Sequence, residues 1–193
     1  PGNFINNLGA AAVQAGAGRW LIYSDGPAGN TFGGLDSGNY ALWGHSITTH
    51  PPASITELGD RYLFATAPSL TVTATLTDSK TYGDTYTFPA PVEGTNYTVD
   101  GLVDASVHGD VFLQDTLASI GLSGAPVFSS AGVAATATVA GSPYLVNIAQ
   151  GSLSNTAGYA FGTFNAGGGL TVNPRAITVT ANGGTSIYGD SPA

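Results

Sequence analysis

The sequence has no cysteine and no methionine, and only 8% of its 193 residues are charged, a third of the roughly 25% usual for soluble domains. Without cysteine there can be no disulfide, no thiolate metal site and no thiol nucleophile. Cations number four, Arg19, Arg61, Lys80 and Arg175, against 12 carboxylates, for a net charge of −8. That leaves no basic patch for a phosphate backbone or an anionic lipid surface, so a nucleic-acid partner is not expected. No apolar run approaches the roughly 20 residues of a helical membrane span, and no membrane insertion is expected. The three histidines form no His-x3-His or His-Glu-x-x-His zinc spacing.

What is present suits strands and turns. Hydrophobic residues make up 42%, enough for a core, and there are 28 glycines and 11 prolines among many Thr, Ser and Asn. Such a mixture favours β-structure over helix. Apolar positions Phe4, Ile5, Leu8, Ala12 and Val13 fit one helical face, predicting a short helix over 3–16 that stops at Gly16. Strands are predicted at 19–24, 40–43 and 61–65, where β-forming residues lie between Gly- and Pro-containing loops. From Leu70 to Thr77 apolar residues alternate with Thr at the period of a half-buried strand, and Asp78-Ser79 breaks the run. Further runs at 86–88, 97–99, 133–139, 144–148 and 159–164 are spaced by turn residues, the rhythm of an antiparallel sandwich or a partly closed barrel.

One pattern recurs. Leu70-Thr71-Val72-Thr73 leads into Tyr82-Gly83-Asp84, and Leu170 to Thr180 leads into Tyr188-Gly189-Asp190, 106 positions after the first motif. Residues 69–174 then form one unit and 175–193 the opening strand of another. Because the chain starts at Pro1-Gly2 and stops soon after that opening, it reads as an internal segment of something longer. Strand sharing with a neighbour would use Ile177, Val179, Tyr82 and Tyr188.

Asn3-Phe4-Ile5-Asn6-Asn7, Gly18-Arg19-Trp20-Leu21-Ile22-Tyr23-Ser24 and Phe32-Gly33-Gly34-Leu35 together resemble a junction segment of filamentous-haemagglutinin-like exoproteins. Tyr82-Gly83-Asp84, Gly124-Ala125-Pro126, Ala140-Gly141-Ser142-Pro143-Tyr144 and Gly151-Ser152-Leu153 are similar to the MBG repeats of those proteins. The resemblance implies two-partner secretion and a place at the Gram-negative cell surface. It implies a stalk or adhesin role with no catalytic residues. Between Asp84 and Gly101 an insert-like Phe88-Pro-Ala-Pro-Val-Glu-Gly departs from the repeat pattern.

Several groups offer chemistry. Asp100, Asp104 and Asp110 could hold calcium through oxygen ligands, the one cofactor considered. Their spacing fits neither an EF-hand nor a Gly-Gly-x-Gly-x-Asp loop, and turn Asp residues bonding their own backbone explain them more cheaply. Trp20, Tyr40 and Trp43 could form an aromatic platform for sugar rings, or the two Trp could anchor a core short of other large side chains. His45, His50 and His108 read as separate turn residues. Gly121-Leu-Ser-Gly-Ala125 lacks the spacing of a nucleophile elbow, and Gly189-Asp190-Ser191 has only the start of an esterase block. Asn96-Tyr97-Thr98 is a formal glycosylation sequon. The expectation is an all-β chain: a junction domain over 1–68 with a short helix and about three strands, then an antiparallel β-sandwich repeat over 69–174. Its expected role is a non-enzymatic stalk segment, with a strand-donating filament subunit or a carbohydrate-binding module as alternatives. Expected partners are neighbouring repeats, copies of itself or surface glycans.

Overall fold

The computed structural model describes residues 2–184 and 187–189. Among these there is no α-helix. The chain is mostly β, with ten strands and four 3-10 turns. β1 (Leu21–Ser24), β2 (Leu42–Trp43) and β3 (Arg61–Phe64) form one sheet in the order β1-β3-β2, and both pairings are parallel. Parallel sheets need cover on both faces. One face of this sheet carries Tyr62 and Phe64 into the main core, and the other carries Leu63 against Leu42, Ile55, Leu21 and Tyr23.

The helix expected over 3–16 does not form. The Phe4 amide donates to Asn30 Oδ1 at 2.9 Å and the Asn6 amide to Thr31 O at 2.7 Å, so these groups are already spent. Asn6, itself buried, donates through Nδ2 to Gly9 O and Phe32 O. The apolar spacing is real, but the asparagines bind the segment as an extended edge beside Thr31, with Ile5 bridged to it in parallel.

Seven strands lie in residues 69–174: β4 (Ser69–Ala74), β5 (Thr77–Thr81), β6 (Tyr97–Asp100), β7 (Val127–Ser129), β8 (Tyr144–Ala149), β9 (Ala160–Asn165) and β10 (Gly167–Asn173). They make a four-stranded sheet, β5-β10-β8-β7, and a three-stranded sheet, β6-β4-β9. The alternation that began at Leu70 works as expected in β4, burying Leu70, Val72 and Ala74. The run is two strands, however. The chain leaves one sheet at Thr75-Leu76 and enters the other as β5, so Asp78-Ser79 lies within a strand. Pairing is mixed where antiparallel order was expected: β4–β9 and β5–β10 run parallel. Residues 86–88 form no strand, and the expected strand at 133–139 is replaced by turns at Ala131–Val133 and Val139–Gly141. Ser130 and Thr138 side chains accept backbone N–H groups there and close the turns locally.

Residues on both sides of Pro68 share one apolar cluster, which includes Trp20, Phe32, Trp43, Tyr62 and Phe64 with Leu70, Phe112, Val146 and Tyr159. Trp43 stacks on Phe64 at 4.8 Å and meets Phe112 and Tyr159 edge-on. Beyond β10, residues 174–184 form no strand. The opening strand expected at 175 is therefore not paired here, and Ile177 and Val179 are 83% and 86% exposed.

Candidate functional site

Two polar constructions stand out from this apolar frame. The first is a carboxylate at the seam between the parallel sheet and the residues after it. Asp115, 4% exposed, accepts through Oδ2 from Trp43 Nε1 at 2.9 Å and from Tyr159 OH at 2.6 Å. The Tyr159 hydroxyl in turn accepts from the Val103 amide at 3.1 Å. Alongside, the Trp43 amide donates to Ala157 O, and the Ser37 and Leu113 amides cross to Val111 O and Asn39 O. Asp115 Oδ1 is buried with no hydrogen-bond partner. Burial first, then the Asp115 bond, pushes the Tyr159 phenol well above its ordinary range; burial does the same to Tyr62, whose hydroxyl donates to Leu35 O.

These shifts have a sign. A phenol raised in the fold above its unfolded value of about 10 contributes full stability below that pH and loses it as pH rises through the folded value. In an ultraviolet titration of the native protein, Tyr62 and Tyr159 are expected to stay protonated while exposed phenols ionise, and to appear only on unfolding. All nine tyrosines ionising together in a folded chain would contradict this.

The second construction is the Tyr82-Gly83-Asp84 turn. The Asp84 amide closes it on Thr81 O, and the Tyr82 amide donates to Asn173 O at 2.8 Å, which fastens the turn to the end of β10. Arg175 Nε donates to Tyr82 O at 2.7 Å, and its guanidinium pairs with the Asp84 carboxylate. Lys80, buried in β5, holds the same turn from inside by donating to Asp84 O and Ala134 O.

The other predicted residues fall as follows. Asp104 caps the 3-10 turn Ala105–His108, accepting from the Ser106 amide and hydroxyl. Asp100 ends β6 beside Thr98, and Asp110 holds a positive φ of 54° in the next loop. No group of three or more metal-ligating side chains occurs among the described residues, so the three aspartates are not brought together as a calcium site. Trp20 and Trp43 are buried against Tyr62, Phe64 and Phe112, and Tyr40 stands apart from them at the surface. Of the two readings open for the tryptophans, platform or core anchor, their burial fits the core anchor.

His45 and His50, expected to be separate, lie with ring centroids 3.9 Å apart and planes tilted by 31°. His108 borders a cavity of about 310 Å³ formed with Phe32, Gly33, Gly34 and Val111, and burial lowers its pKa, with Asp104 opposing the shift. A second cavity, about 370 Å³, lies between the Asp25–Ala28 turn, Thr66, Pro68 and Val103. Asn96 of the sequon is buried and bonded to Val92 and Ala90. Asp190 and Ser191 lie outside the described residues. Sequence reasoning missed Asp115, whose partners are 72 and 44 residues away, and missed what Lys80 and Arg175 do. Cation scarcity was the available signal for those two.

Comparison with family models, with curated proteins and with solved structures finds no match for this chain.

Proposed function

We propose that the chain is a non-enzymatic segment of a secreted or surface-displayed fibrous exoprotein of the filamentous-haemagglutinin-like kind. In this reading β-units, each a two-sheet sandwich of the 69–174 type, follow one another along a stalk. The observation that carries it is the recurrence of strand plus Tyr-Gly-Asp. Ile177-Thr178-Val179-Thr180-Ala181 has the same alternation as Leu70-Thr71-Val72-Thr73-Ala74, the buried heart of β4. The role is spatial: stacked units hold an adhesive tip or filament away from the cell.

The scarcity of ionisable side chains supports a non-catalytic role. The carboxylate at the seam is enclosed and engaged by two structural donors, not open to a substrate. A second reading, donation of 176–181 to the sheet edge of a neighbouring copy, is favoured by the exposure of Ile177 and Val179. The carbohydrate reading loses support because both Trp side chains are buried.

An antibody raised against residues 1–193 is expected to stain intact cells that make the protein, and to detect it in their medium. Staining confined to lysed cells would overturn the surface role. Turnover of an ester, peptide or glycoside, lost on substituting His45, His50 or His108, would overturn the non-enzymatic one.

A further inference from the structure

Arg175 is the first residue after the Asn173-Pro174 exit from β10, and it is spent on one target. Its Nε reaches Tyr82 O at 2.7 Å while the other edge of the guanidinium pairs with Asp84. This two-point grip uses the planar fork that lysine lacks. Glycine is needed between the two contacts. Gly83 has φ of +91°, and a Cβ there would stand 3.3 Å from Arg175 Nε, crowding the guanidinium. The turn is rigid from behind, because Lys80 holds Asp84 by its carbonyl and Asn173 takes the Tyr82 amide.

We infer that the Tyr82-Gly83-Asp84 turn is a docking site for the arginine that opens a following unit, so that Arg175 fixes the direction in which the chain leaves β10. The partner is a second unit of this kind, entered through the strand sequence at 177–181; that identity rests on the stalk reading. The clamp itself stands on contacts within this chain. A recurring Tyr-Gly-Asp motif then has a task at each seam: it sets the angle between neighbours at a site outside both cores.

The test is proteolysis of the whole chain by a broad-specificity protease, following cleavage at the bonds that flank Arg175. The residues beyond Arg175 are exposed already, but the bonds flanking it can be drawn out straight into a protease only when the clamp opens, so their rate follows the open population. Arg175→Gln and Asp84→Asn are each expected to raise it about fivefold, the worth of one partly exposed ion pair with its hydrogen bond. Arg175→Lys is expected to fall between, keeping the charge but losing the fork. Molar salt should accelerate cleavage of the parent and leave Arg175→Gln unchanged. Arg175 and Asp84 are about half exposed, so these variants fold, which an unchanged denaturant midpoint would verify. Equal cleavage of the parent and both charge variants would overturn the docking site. Failure of the stalk reading shows instead in the cell staining and leaves these rates unaltered.

Discussion

Asp115→Ala is expected to lower the unfolding free energy by about 2–4 kcal/mol, as two buried donors lose their acceptor at about 1–3 kcal/mol each. The loss is a large part of a total that for domains is roughly 5–15 kcal/mol. Trp43 Nε1 and Tyr159 OH both lie in the apolar cluster, and the collapsed space beside Phe112 offers neither a replacement. Asp115→Asn keeps an accepting oxygen and is expected to cost clearly less than the alanine variant. Tyr159→Phe removes one of the two donors and is expected to cost about 1 kcal/mol. Urea denaturation checks all three as a shift in midpoint at constant slope. An alanine variant within 0.5 kcal/mol of the parent would show that the seam does not depend on this carboxylate.

Gly158→Ala is expected to be at least as damaging, at about 3–5 kcal/mol, by a different route. Gly158 has φ of +88°, where a side chain costs roughly 1–2 kcal/mol on conformation alone. Its Cβ would stand 1.8 Å from Trp43 O and 2.7 Å from Trp43 C. Those are main-chain atoms, so the strand-like contact between β2 and residue 157 must open. The same movement pulls Trp43 from Asp115. Gly158→Ala combined with Asp115→Ala is therefore expected to lose less than the two separate losses together. Independent losses of the two variants would contradict a shared seam.

What the sequence alone carries follows from where the information lies. β4 was legible because period-two alternation is a property of six consecutive residues. β5 was not, since Thr77-Asp78-Ser79-Lys80-Thr81 is polar and becomes a strand only through pairing with β10. Lys80 points inward there, a device that protects an edge strand from pairing with other chains. β1, β2 and β3 were placed correctly along the chain, but their parallel order depends on partners up to 40 residues apart. Asparagine misled the helix prediction: Asn6 and Asn30 spend their amides on backbone at a distance, which a local apolar pattern does not contain. Of the candidate site, Trp43 was recognised as a core anchor, yet Asp115 looked like any loop acid between Gln114 and Thr116. Its meaning comes from two aromatic partners that only the fold brings within reach.

The use made of the four cations has a consequence for how the chain can be cut. A protease that recognises only lysine and arginine must seat the side chain in its own pocket and draw the flanking backbone out straight. Arg19 is tied to the carbonyls of Ile55 and Glu57, Arg61 to those of Tyr40 and Leu58, and Lys80 to those of Asp84 and Ala134. Cutting at any of these first requires β1, β3 or β5 to be peeled away. Arg175 alone among the four is followed by unpaired, exposed residues. To a trypsin-like enzyme the molecule therefore presents one weak bond, at the junction where the body ends and the next strand sequence begins, and it is reached without unpairing any strand once Arg175 lets go of Tyr82 O and Asp84.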